Sequence, residues 1–159
     1  MGWTSYTIDR NEKTADVLQR ELTQDSAQGT RTSWEIIDHS MAGNTYYAII
    51  KRTETTGATM YYGMVVLTER RASYSRDTVE FYFKDMTEDM GPHYYDMPAR
   101  MLNKLDQLSP NPTGYAKTWR ESCREHLARK SQKAAQRRQI KKQQLDRLAA
   151  LIPQYFKAA

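Results

Sequence analysis

Apolar residues change their spacing as the chain is followed from end to end, and the changes predict the elements. Val17, Leu18 and Leu22 form a short stripe at helical spacing, with Asn11 placed to cap it, which predicts a first helix over 11–24. The polar stretch Gln24 to Thr32, with Gly29 inside it, reads as a loop. From Trp34 the period shortens to two. Trp34 to Met41 reads as a strand, followed by the turn signal Gly43-Asn44. Thr45 to Thr53 is a second strand, and Gly57 marks the next turn. In Thr59 to Glu69, Met60, Tyr62, Met64 and Val66 share one face, while Tyr61, Val65 and Leu67 share the other. Val79 to Lys84 alternates Val79, Phe81 and Phe83 against Glu80, Tyr82 and Lys84. Short turns between successive strands predict an antiparallel meander with helices covering one face.

Asp85 to Met97 breaks the pattern as a loop rich in acids and aromatics. Pro98 suits a helix start, and Met101, Leu102, Leu105 and Leu108 follow at helical spacing. Ser109-Pro110-Asn111-Pro112 stops that helix as a rigid link. From Tyr115 to Ile152 there is neither Gly nor Pro, and Ala, Gln, Lys, Arg and Leu predict one long helix. Its start carries Trp119, Cys123 and Leu127 on one face, and its end carries Leu145, Leu148, Ile152 and Tyr155. Pro153 is expected to end it, with Tyr155 and Phe156 free to dock on a core or on another chain. The fold class is therefore α+β: an antiparallel sheet of about four strands packed by helices, with a long basic C-terminal helix. The expected division is a core over 1–112 and a helical tail over 113–159.

At 159 residues the chain is long enough for one core without disulfides or a structural metal. The single cysteine, Cys123, excludes an internal disulfide and any cysteine-rich zinc site, and it fits a reducing compartment. No apolar run reaches membrane-span length, and the first residues lack the order of a signal peptide, so no membrane partner is expected.

Charge changes the picture more than composition does. The net charge is +5, yet Ala116 to Arg147 holds eleven Lys/Arg against three acids, a local +8, so the remainder carries 5 − 8 = −3. A mildly acidic body with a basic helix points to a polyanionic partner. Arg129, Lys130, Lys133, Arg137, Arg138, Lys141 and Lys142 are the candidate phosphate contacts, with DNA and RNA both open. An acidic host protein would suit the same cations. The alternative for this helix is a strut kept soluble by its charge.

The acidic loop offers two further chemistries. Asp85, Glu88, Asp89, Asp96 and His93 lie close enough in sequence to suggest a divalent-metal hydrolase, although their spacing matches no established metal motif. Asp85, Glu88, Asp89, Tyr94, Tyr95 and Asp96 would equally make a protein-binding surface, and a purely structural role is favoured over the metal. Cys123 and His126 share a helix, where Cys123 reads as a small core residue rather than a nucleophile. The glycines are isolated, so no phosphate-cradling loop is present. The pairs Tyr46-Tyr47 and Tyr61-Tyr62 predict one buried and one outward tyrosine each, with Tyr46 or Tyr61 available to stack on bases. No catalytic residue or cofactor emerges, and a non-enzymatic role is expected. Leu145, Leu148 and Ile152 also permit a homodimer through the C-terminal helix.

Gly43-Asn44-Thr45-Tyr46-Tyr47-Ala48, the run Phe83-Lys84-Asp85-Met86-Thr87-Glu88-Asp89-Met90-Gly91-Pro92-His93-Tyr94-Tyr95-Asp96-Met97-Pro98, the pair Trp119-Arg120 and the opening Met1-Gly2-Trp3-Thr4 belong together. They resemble a family of small uncharacterised proteins carried by bacteriophages, plasmids and other mobile elements, over roughly Met1 to Leu127. Such relatives are expected to hold a small residue and an aromatic before the Lys, and a Cys where Met97 stands. The Met97 departure argues against an essential ligand or nucleophile at that position. The resemblance implies a mobile-element accessory protein in the cytoplasm of a bacterial host cell, with counter-defence as its context. It carries over no catalytic residue. The functional expectation is a nucleic-acid binder, with an inhibitor of a host defence protein and a small metal-dependent hydrolase using 85–96 as alternatives.

Overall fold

The computed structural model describes residues 2–27 and 32–157, without the side chains of 23–27, 32 and 154–157. The elements run β1 (Thr4–Asp9), α1 (Thr14–Ala27), β2 (Thr32–Ala42), β3 (Thr45–Glu54), β4 (Thr59–Ala72), β5 (Thr78–Thr87), a helical turn at Glu88–Met90, α2 (Ala99–Leu108) and α3 (Gly114–Lys157). The class is α+β as expected, with a five-stranded antiparallel sheet ordered β1-β5-β4-β3-β2.

The added strand is β1, at the edge beside β5. Its sequence hides it because only Ile8 is buried while its other side chains face solvent. One buried residue leaves no period to read, and the strand is held by its ladder to β5, from Thr4 opposite Phe83 to Asp9 opposite Thr78. The predicted hairpin turn stands: Ala42 pairs with Thr45 and Gly43 takes φ +60°. That left-handed conformation at the first central position is what a two-residue loop requires.

Both faces of the sheet are covered, a correction to the one-face expectation. Val17 and Leu18 of α1 pack with Ile8, Tyr46, Ala48, Ile50, Met64, Val66, Phe81 and Phe83. The opposite face meets α2 and the start of α3, where Met97, Met101, Leu102, Leu105, Trp119 and Cys123 are buried. β3 therefore buries Tyr46 to Ile50 without a break, the signature of a strand covered on both sides. For the same reason Tyr46 and Tyr47 are both buried, and Tyr46 is not available to stack on bases.

A bulge at Ile37 sorts β2 between the two faces. Ile36 pairs with Ile50 and Asp38 with Ile49, so the strand gains a residue between them. Trp34 and Ile36 join the α1 core, whereas Asp38 turns to α2 and receives Arg100 at 2.6 Å and Lys104 at 3.5 Å. Burial pushes the Asp38 carboxyl upward, but the hydrogen bond and charge of Arg100, with the charge of Lys104, outweigh that and lower its pKa. A depressed folded pKa contributes stability at neutral pH that disappears as pH falls through the lowered value. Arg100 is largely exposed, so the contribution is about 1 kcal/mol or less. Asp38→Asn is expected to lower the melting temperature slightly at neutral pH. The gap from the parent protein should narrow as pH falls below the ordinary carboxylate range and through the lowered Asp38 pKa, in melts across an acid series.

Gly63 shows what sets the spacing between β4 and the helices. A methyl group at its Cα would stand 2.8 Å from Trp119 Cζ3 and 3.2 Å from Leu105 Cδ2. The indole of α3 lies directly on the β4 backbone there, its Nε1 donating to the Tyr94 carbonyl at 2.9 Å. Since that bond holds the ring, Gly63→Ala is expected to cost about 1–3 kcal/mol by overpacking, read by denaturant unfolding.

Several boundaries differ from expectation, among them the end of β5, which runs to Thr87 and takes Asp85 to Thr87 out of the expected loop. Asn11 does not cap α1; its N–H is held by the Asp9 carboxylate at 2.8 Å, and the helix starts at Thr14. The expected loop from Gln24 is helical to Ala27, and Gly29 lies outside the described residues. Pro153 sits inside α3, which continues to Lys157. The side chains of Tyr155 and Phe156, expected to dock, lie outside those described.

The chain divides into two compact units, 1–123 and 124–159. The first unit thus extends beyond the Pro110–Pro112 link to include the opening turns of α3. Among the described residues no helix is long and apolar enough to cross a membrane.

Candidate nucleic-acid interface

α3 is 44 residues long, about 66 Å at ~1.5 Å per residue. In its second unit every described side chain from Ala128 to Pro153 is exposed. Arg129, Lys130, Lys133, Arg137, Arg138, Lys141 and Lys142 all lie in that stretch. Between Glu125 and Asp146 there is no acidic residue. Arg129 reaches back to Glu125 at 3.4 Å. Among the described residues, no ion pair or hydrogen bond engages Lys133, Arg137, Arg138, Lys141 or Lys142.

Helical spacing organises these cations. Arg129, Lys133, Arg137 and Lys141 succeed one another at four-residue steps and form one ridge. Lys130, Arg138 and Lys142 form a second, offset by about 100°. Each four-residue step drifts by roughly 40°, so the ridge winds gently around the helix over about 18 Å. The arrangement supplies closely spaced, largely unneutralised positive charge. It therefore suits phosphates.

The acidic loop is distributed quite differently. Glu88 is buried at 4% exposure, and its carboxylate is gripped by Arg120, Nε at 2.7 Å and Nη2 at 2.8 Å. This removes Glu88 from the expected protein-binding surface, because a buried carboxylate already paired with a guanidinium has nothing left to offer a partner. Asp89 is exposed and accepts from the Thr87 hydroxyl. Asp85 is half-buried within β5. Asp96 donates its backbone N–H to the Tyr47 hydroxyl at 2.9 Å. Burial pushes that hydroxyl up to about 12. Tyr94 stays exposed, and the half-buried Tyr95 places its hydroxyl 3.3 Å from His93 Nδ1. Among the described residues no three His, Cys, Asp or Glu side chains converge to hold a metal ion.

Arg120 was not singled out in the sequence beyond its place in the Trp119-Arg120 pair. It is fully buried, and besides Glu88 its Nη1 reaches Asp106 at 3.2 Å and the Ser109 carbonyl at 2.7 Å. Burial by itself would lower the guanidinium pKa; Glu88 and Asp106 overcome that and raise it. The partners lie 32, 14 and 11 residues away in sequence. Only an arginine flanked by apolar core residues, between Trp119 and Cys123, hinted at its burial. No family model, no curated protein and no solved structure matches the chain.

Proposed function

We propose that this chain is a non-enzymatic nucleic-acid-binding protein whose contact surface is α3 from Arg129 to Lys142. The observation that carries the reading is the acid-free interval between Glu125 and Asp146, with its cations exposed and largely unneutralised. Such a helix attracts phosphate backbones without regard to sequence. The motif resemblance at 83–98 is what supports reading the chain as an accessory protein of a bacteriophage or other mobile element, with a bacterial cytoplasm and counter-defence as the proposed context. The test is binding of the intact chain to labelled double-stranded DNA, single-stranded DNA and RNA across a salt series. Salt-sensitive binding that disappears when the chain ends at Leu127 supports the reading. Unchanged affinity without the helix overturns it.

A second reading, an inhibitor of a host defence protein, draws on the exposed Asp89, Met90 and Tyr94 of the same loop. Capture of one host protein from nuclease-treated lysate, lost on Tyr94→Ala, would favour it over the first.

A further inference from the structure

At one end of the sheet, within the first unit, lies a groove of about 710 Å³. Thr59, Met60, Tyr61 and Tyr62 line it in succession. Successive strand residues point to opposite faces, so four in a row border a cavity only where it runs along the strand's edge. The ladder agrees. β5 pairs with β4 from Met64 to Ala72, so among the described residues Thr59 to Gly63 have β3 on one side and no strand on the other. Thr87 and Asp89 stand across this open edge.

Polar groups in the walls are unfinished. Arg52 Nε and the Tyr62 hydroxyl are buried and have no hydrogen-bond partner. Trp34 frames both, with the Arg52 guanidinium 5.9 Å from its ring centroid and the Tyr62 ring edge-on at 5.6 Å. Charge in the groove largely cancels: Arg52 pairs with Glu54 at 3.1 Å, and Glu88 with Arg120 at 2.7 Å. Asp89 is the charge left over, its contact being the Thr87 hydroxyl.

We infer that this groove is a binding site for a short extended peptide that carries a basic residue. The backbone of such a peptide adds to the free edge of β4, the mode by which open sheet edges take up a strand. Its carbonyls suit the donors of Arg52 and Tyr62. Its apolar side chains suit Met60 and the aromatic walls, and its cation complements Asp89. A small anion is disfavoured by the leftover negative charge. At ~3.4 Å per residue, Thr59 to Tyr62 offers room for about three to four peptide residues. The site lies outside the basic segment of α3, so it stands or falls independently of nucleic-acid binding.

The test uses the full chain and two pools of fluorescein-labelled heptapeptides, one with a single Lys or Arg and no acid, the other with Glu in its place. Fluorescence polarisation gives affinity, and amide hydrogen exchange locates the contact. Saturable binding of the basic pool is expected, with slowed exchange at amides within Thr59–Gly63. Asp89→Asn should weaken it about fivefold. Tyr62→Phe should weaken it about threefold without lowering the melting temperature, since the lost hydroxyl has no partner in the free protein. The proposal is overturned if no pool saturates, if the acidic pool binds better, if exchange at 59–63 is unchanged, or if both variants bind at full strength. Protection of the same amides by an oligouridylate that displaces the peptides would also overturn it, making the groove a nucleic-acid site.

Discussion

Arg120→Ala is expected to remove about 3–5 kcal/mol from the stability of the first unit, the usual consequence of breaking one side of a buried ion pair. The substitution deletes a fully buried guanidinium that serves Glu88, Asp106 and the Ser109 carbonyl together. What remains is worse than a cavity. The Glu88 carboxylate, 4% exposed, would be left without its counter-charge. Against a total of about 5–15 kcal/mol for a domain of this size, the loss is a large fraction. In melting temperature it amounts to roughly 10–20 °C. Arg120→Lys should recover little, because a point ammonium cannot reproduce the fork that meets both Glu88 oxygens. A paired replacement, Arg120→Met with Glu88→Leu, should recover most of the loss, since two apolar groups carry no desolvation penalty. Urea unfolding of the two single variants and the pair measures the coupling. Strict additivity of the single losses would mean that the pair acts through shape and not through charge.

Arg120 also shows where sequence reading stops. A guanidinium at the start of a basic helix looks like one more solvated cation, and only the placement of the Glu88–Met90 turn and the end of α2 around it makes it interior. The same holds for Glu88, which in sequence is one acid among several but in the fold is spoken for. β2 to β5 were legible from runs of β-branched and aromatic residues between turn signals, with clean alternation in β5, whereas β1 was not, with one buried side chain in six residues. The coverage of both faces could have been suspected from Tyr46 to Ile50, an apolar run in which neither parity is polar. The groove was beyond reach, because it depends on where β5 stops relative to β4, a register that no local pattern encodes. By contrast, the cations of 129–142 are as the sequence presents them. Exposure on an isolated helix needs no tertiary information.

That exposure makes the salt dependence of binding the sharpest test of the proposed function. If only the ridge of Arg129, Lys133, Arg137 and Lys141 meets phosphates, the slope of log affinity against log salt on duplex DNA is expected near −3.6, at ~0.9 per contact. Raising salt from about 50 to about 200 mM would then cost roughly 150-fold in affinity. Engagement of the second ridge as well would steepen the slope toward about −6. Replacing the four ridge residues by Gln removes their charge while keeping strong helix formers in place, so the helix itself should persist in circular dichroism. At about 50 mM salt each lost contact is worth roughly tenfold, and the four-fold variant should bind about 10⁴-fold more weakly with a nearly flat salt response. Exchanging Arg for Lys along the same ridge should change little, because phosphate attraction of this kind depends on charge and carries no base readout. Neutralising Lys130, Arg138 and Lys142 instead separates ridge geometry from bulk charge. Equal losses from the two sets, each scaled by its number of charges, would show a helix that phosphates engage all round. A loss confined to the first set would define the bound face. Affinity and slope that survive neutralisation of both sets would remove α3 from the interface altogether and leave its charge the task of keeping an exposed helix in solution.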